Sequence, residues 1–175
     1  GVHAEDYYSD KTIEDADLLF SGMQGLPENF WEQLGRDIES WQESGRTYYR
    51  VRGAAVKEWQ LNQFVYESSD NGIEALVRET DGEVAVLELT RDFRGDKNNV
   101  WGITARNREQ NFALNLLMNP DVDFISLLGQ AGTGKTLLTL AAGLMMTLEF
   151  KVYSEIIMTR VTVPVGEDIG FLPGT

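Results

Sequence analysis

Eight consecutive residues, Gly129-Gln130-Ala131-Gly132-Thr133-Gly134-Lys135-Thr136, constrain this chain more than any other stretch. They fit the pattern G-x-x-x-x-G-K-[ST] at every fixed position. Glycine at 129, 132 and 134 permits backbone conformations closed to other residues and lets peptide amides approach an anion. Those amides, with the start of a following helix, present partial positive charge. Lys135 adds a full charge suited to β- and γ-phosphates, and the Thr136 hydroxyl suits a magnesium ion. A purely structural glycine-rich turn would share this composition, so context matters. An apolar run, Phe124 to Leu128, precedes the loop, and an apolar helical pattern follows from about Lys135 to Leu148. The implied ligand is a nucleoside triphosphate, ATP, held with Mg2+.

The rest of residues 102–175 supplies an α/β frame for this loop. Asn107 can cap a helix whose Phe112, Leu116 and Leu117 face a core, and Asn119-Pro120 stops it. The wholly apolar run Phe124 to Leu128 has the character of a parallel strand covered on both faces. Glu155 to Arg160 is expected to return as a second parallel strand, giving the βαβ start of a P-loop NTPase sheet. Two parallel strands leave that sheet incomplete.

Two further regions precede this one. Residues 1–45 are expected to be helical. Leu26-Pro27-Glu28 has the chemistry of a helix start, and Phe30, Trp31, Leu34, Ile38 and Trp41 recur at helical spacing. Gly35 weakens that helix and Gly45 ends it. Residues 46–101 predict a small antiparallel β module. Tyr48 to Arg52, Leu61 to Glu67, Ile73 to Glu79 and Val84 to Leu89 are rich in β-branched and aromatic residues. Asp70-Asn71-Gly72 and Thr80-Asp81-Gly82 supply the positive φ of tight turns. The polar stretch Arg91 to Asn99 separates this module from the region that carries the glycine loop.

Composition narrows the chemistry. The 175 residues include no cysteine and one histidine, His3. Disulfides, thiolate zinc sites and cysteine nucleophiles are excluded, and a Ser-His-Asp triad would rest on a terminal residue. No apolar run is long enough to span a bilayer, so a soluble protein with no membrane partner is expected, and the lack of cysteine fits the cytoplasm. The net charge of −13 opposes broad attraction to nucleic acid. Acid gathers before residue 45, and arginine and lysine gather at 46–57 and 91–108, which leaves a local basic face open. The chain begins without methionine and stops at Pro173-Gly174-Thr175, as a piece of a longer protein would.

Larger stretches resemble a known family. Gly102-Ile103-Thr104-Ala105-Arg106-Asn107-Arg108-Glu109-Gln110, Ala113-Leu114 and the glycine loop resemble the PhoH family of ATPases. So does Ile157-Met158-Thr159-Arg160 leading into Pro164-Val165-Gly166-Glu167-Asp168-Ile169-Gly170-Phe171-Leu172-Pro173-Gly174. The preceding chain looks like the linker of members fused to a PIN nuclease domain, with His3-Ala4-Glu5-Asp6-Tyr7 as that domain's tail. The resemblance implies a P-loop ATPase related to helicases, acting on RNA and assembling as a homo-oligomer. It implies that Gln110 contacts the adenine edge, although Asn107 and Gln110 also have the spacing of a capping box. Thr159 and Arg160 match positions that contact a nucleic-acid backbone, and a structural ion pair explains the arginine as well. Val161 departs from the family's proline. Glu167 and Asp168 match the family's acidic pair and are assigned no catalytic role.

Gly129 to Thr136 and Gln110 therefore form the candidate nucleotide site, with Lys135 and Thr136 carrying the chemistry. No later strand ending in Asp-Glu and no arginine finger is visible, so this segment holds triphosphate-binding groups without hydrolytic ones. The alternative is a nucleotide-dependent regulatory module without motor activity. Tyr48, Tyr49, Phe64 and Tyr66 could stack bases or fill a core.

Overall fold

The computed structural model describes residues 20–69 and 72–159. The chain divides between Thr90 and Arg91 into two compact units, each with its own apolar cluster. The expectations placed on His3 to Tyr7, on Asp70-Asn71, on Arg160 and on Val161 to Gly174 lie outside the described residues.

The first unit is built on one six-stranded sheet. Its strands are β1 (Met23–Leu26), β2 (Ile38–Glu43), β3 (Arg46–Arg52), β4 (Phe64–Glu67), β5 (Glu74–Thr80) and β6 (Val84–Leu89). They lie in the order β1-β4-β5-β6-β3-β2. Only β1 and β4 run parallel; every other neighbouring pair is antiparallel. Alternation sorts each strand into two faces. Val51, Val65, Ala75, Val77, Ala85 and Leu87 point into a core closed by Val56, Trp59 and Leu26. Phe30, Trp31 and Leu34, from the short helix α1 (Phe30–Leu34), cover part of it.

This sheet corrects the helical region expected over residues 1–45, of which 20–45 are described: Met23–Leu26 is strand β1, and the helix begun at Glu28 does not run to Gly45. Helix α1 stops after five residues, and Ile38 and Trp41 lie in strand β2 instead. Gly35 follows the helix with φ 53° and ψ −104°, a conformation that ends helical hydrogen bonding. Ser44 and Gly45, at φ 50° and 76°, then turn β2 directly into β3 with Glu43 opposite Arg46. Two central residues at positive φ match the twist of a two-residue hairpin. The β module thus begins before residue 46.

The turn between β5 and β6 follows its sequence. Gly82 takes φ 87°, and Asp81 Oδ1 accepts from the amides of Glu83 and Val84 at 2.8 and 2.7 Å. Donation by Val84 and then Glu83 holds the Asp81 carboxyl below the ordinary aspartate range.

The second unit pairs helices α2 (Arg108–Leu117) and α3 (Lys135–Leu144), and α3 runs on into a π-helical turn at Met145–Glu149. Leu114 meets Leu138, Ala141 and Ala142 in a core shared with Phe93, Val100 and Ala105. Asn115 Oδ1 accepts from the Arg91 amide and Asn115 Nδ2 donates to the Arg91 carbonyl, both at 2.9 Å. Asn111, fully buried, accepts from the Phe93 amide at 2.8 Å. Two asparagine side chains thereby give the segment 91–93 the partners a neighbouring strand would give. Helix α3 is not buried all round: Leu137 is 54% exposed.

The expected parallel strands are not formed among the described residues. Phe124 to Leu128 and Glu155 to Thr159 enter no ladder. Phe124 is 86% exposed, Leu128 64% and Ile157 79%. Half-buried Ile125 and Leu127 alternate with exposed Phe124, Ser126 and Leu128. An apolar run supplies the drive for burial but not the hydrogen-bonded neighbour that makes a strand. The fold class is mixed α and β with a mostly antiparallel sheet, rather than the visible start of a parallel one. No helix among the described residues is long and apolar enough to cross a membrane.

Two substitutions test the packing of the sheet. Leu87→Ala is expected to lower the unfolding free energy by about 2–5 kcal/mol. Leu61→Ala, at a position 60% exposed, should change it by less than about 0.5 kcal/mol. Urea unfolding followed by tryptophan fluorescence compares them. For Asp81 the folded value is the depressed one, so its contribution is complete at neutral pH and is lost as pH falls below about 4. The stability of Asp81→Ala should therefore fall less steeply between about pH 4 and 2 than that of the unsubstituted chain.

Candidate nucleotide site

The loop from Gly129 to Thr136 opens helix α3 and closes on its own lysine. Gly129, Gly132 and Gly134 take φ 151°, 84° and 89°, values that L side chains rarely adopt. Gly134 is the cap of α3 and offers no side-chain hydrogen bond to the helix. The first-turn amides that an α-helix leaves without intrahelical partners are thus not capped by it.

Lys135 Nζ donates to the carbonyls of Gly129 and Gln130, each at 2.7 Å, and to Thr133 Oγ1 at 3.3 Å. Thr133 Oγ1 donates in turn to the Gln130 carbonyl at 2.9 Å. These contacts join the first residue of the loop to the first residue of the helix. Gly129 to Thr133 and Thr136 are exposed, while Gly134 and Lys135 are half-buried. An exposed glycine loop with one ammonium inside it can receive a polyanion without first desolvating a buried charge.

Gln110 reaches the same loop from helix α2. Asn107 caps that helix, its Oδ1 accepting from the Gln110 amide at 2.9 Å. The return half of a capping box is displaced by one residue: Gln110 Oε1 accepts from the Arg106 amide at 2.8 Å. Gln110 Nε2 donates to the Thr133 carbonyl at 3.1 Å. The structure thus brings Gln110, Gly129, Gln130, Thr133 and Lys135 into one bonded group. Thr136 sits exposed in the first turn of α3, and Thr159 is exposed in the segment after it.

Ahead of α2, Trp101 and Gly102 turn the chain at φ 49° and 77° between the bridged residues Val100 and Ile103. The Gly102 amide donates to Asn99 Oδ1 at 2.9 Å. Sequence reasoning passed over this turn and over Asn111 and Asn115. The signal for the asparagines was available, since polar residues recurring four apart beside Phe112 and Leu114 mark a helix face that buries amides.

Of the aromatics considered for base stacking, Phe64 is buried. Tyr49 packs against the core with its ring 6.2 Å from that of Trp31. Tyr48 is stacked on Trp41, centroids 5.4 Å apart, with the Arg50 guanidinium 5.3 Å from the Trp41 ring. The basic residues of that sheet are paired: Arg50 and Arg52 with Glu39, and Arg46 and Arg78 with Glu88.

The loop and its approach from Gly102 fall together within a known family. Residues 102–175 match the family described as PhoH-like protein. Over this part the chain is similar to the PhoH-like family. The whole chain is also 35% identical over 175 residues to Protein PhoH2 of Bacillus subtilis (strain 168). That match takes in 99% of this chain and 37% of the relative. Proteins named PhoH2 from Thermobispora bispora and Mycolicibacterium smegmatis are 43% and 40% identical over 95 residues. Those stretches are 54% of this chain and 22% of each relative. The chain therefore spans well under half the length of the curated relatives it matches. No solved structure matches it.

Asn107→Ala removes the cap that seats Gln110. It is expected to cost about 1 kcal/mol of stability, read from thermal unfolding of the variant beside the unsubstituted chain.

Proposed function

We propose that the loop Gly129 to Thr136 holds the triphosphate of ATP, and that the protein of which this PhoH-like segment forms part hydrolyses ATP in work on RNA. The observation carrying this reading is the Lys135 ammonium at the centre of an exposed glycine loop that opens a helix. The donor set fits the ligand. Amides of Gly129 to Gly134 suit phosphate oxygens, Lys135 supplies the full positive charge, and the Thr136 hydroxyl is an oxygen ligand of the kind magnesium takes. Magnesium, when bound, would neutralise charge on the phosphate oxygens.

ATP as the nucleotide, hydrolysis as the reaction and RNA as the partner are supported by resemblance to the PhoH-like family. A cytoplasmic location and a homo-oligomer rest on the same support. Thr159 and Arg160 are the residues this reading assigns to a nucleic-acid backbone, on the resemblance alone. Work on RNA, rather than a regulatory role, would show as RNA-stimulated ATP turnover by the full-length protein.

Lys135→Ala tests the binding step. Loss of a charge-assisted contact is expected to weaken Mg·ATP binding by about 10- to 100-fold. Isothermal titration reads the affinity, and far-UV circular dichroism checks that the helices persist. Equal affinity in the two proteins would defeat the assignment.

A further inference from the structure

The carboxamide of Gln110 is engaged at both ends inside the protein. Its oxygen accepts from the Arg106 amide at 2.8 Å and its nitrogen donates to the Thr133 carbonyl at 3.1 Å. Thr133 is also where the loop's internal bonds meet, since its hydroxyl links the Gln130 carbonyl and the Lys135 ammonium. Hydrogen bonds thus lead from the start of α2 through Gln110 to the Thr133 carbonyl, and the hydroxyl of the same residue meets the ammonium. The α2 end is rigid, because Asn107 caps α2 and Leu114 packs against Leu138 of α3.

Gly134 shows how closely the amide approaches. A Cβ built there would lie 3.3 Å from Gln110 Nε2, tighter than most real contacts. The absence of a side chain at 134 leaves the room that Gln110 needs to reach Thr133. The glycine serves this approach as well as its own positive φ.

We infer that Gln110 is a positioning residue for the phosphate loop. Its carboxamide braces the Thr133 carbonyl, so it governs affinity for the polyphosphate itself, whatever base is attached. This rests on the reading of the loop as a triphosphate site. It differs from adenine recognition in what it demands. A group that reads the base matters only to ligands carrying that base, whereas a brace matters equally to a ligand with no base.

Gln110→Met keeps the length and helix propensity of the side chain and removes both hydrogen bonds. Gln110→Ala serves as the second variant. Each is titrated in the full chain with the magnesium complexes of ATP, GTP and inorganic tripolyphosphate. Amide hydrogen exchange of residues 129–136 is followed in the ligand-free protein. The expected result is a loss of about 3- to 10-fold, the worth of one such bond, equal for all three ligands. Exchange across the loop should be faster while residues 111–117 keep their protection. A loss confined to ATP, with tripolyphosphate bound as before, would overturn the brace, as would unchanged affinity for all three or unchanged loop exchange. Failure of the unsubstituted chain to bind any of the three would overturn the triphosphate reading along with it.

Discussion

Three acceptors meet the ammonium of Lys135, and the shape of the loop depends on that meeting. A lysine ammonium has three protons, and here the Gly129 and Gln130 carbonyls and the Thr133 hydroxyl face it. In a planar trans peptide the N–H points opposite to the C=O. Turning the carbonyls of 129 and 130 toward the lysine therefore turns the amides of Gln130 and Ala131 away from it. The positive φ of Gly129 and Gly132 lets the chain carry this orientation through a tight turn. The lysine acts on the loop as a tie, and under the proposed function it would act on the triphosphate as a charge.

That tie is exchangeable. Neutral carbonyls are weaker partners for an ammonium than phosphate oxygens are, so a triphosphate bound as proposed would compete with the loop's own acceptors. Releasing Lys135 would leave the loop dependent on whatever else holds it. Gln110, anchored in capped helix α2, holds the loop from outside it without passing through the lysine, and the Thr133 hydroxyl keeps its bond to the Gln130 carbonyl. A loop held at two points can yield one of them without losing its form.

Much of this site was legible in sequence because it rests on local chemistry. The glycines at 129, 132 and 134, the cap at Asn107 and the helix after it all follow from neighbouring residues. The turn at Asp81-Gly82 and strands β3, β5 and β6 were legible for the same reason. The helix expected over residues 28–45 failed because apolar spacing was consistent with a helix while Gly35 and Ser44-Gly45 were not. Ser44-Gly45 carried the hairpin signal, and Gly45 taken as a helix end concealed it. Phe124 to Leu128 exposed a different limit. Its composition suits a strand, yet a ladder needs a partner that no local pattern supplies. The asparagine clamps on 91–93 were hidden likewise, since they join residues 18 to 24 apart in sequence.

The same distinction between local signal and distant partner governs the charges of the sheet. In sequence Arg46, Arg50 and Arg52 form a basic run in an acidic chain. In the structure the register sets Glu39 opposite Arg50 and places Glu88 beside Arg46. Arg50 and Arg52, side by side on one face, flank a single carboxylate, and hydrogen bonds from Arg52 and then Arg50 hold Glu39 below the ordinary glutamate range. Exposed pairs of this kind contribute little to stability. Their larger effect is on the field, because a paired guanidinium attracts a distant polyanion far less than a free one. Strand register has thus set a basic stretch of sequence against carboxylates, with Arg50 and Arg52 sharing Glu39 and Arg46 and Arg78 sharing Glu88. At the glycine loop, by contrast, the acceptors that meet the lysine among the described residues are neutral, which leaves the positive charge that the proposed phosphate binding calls for.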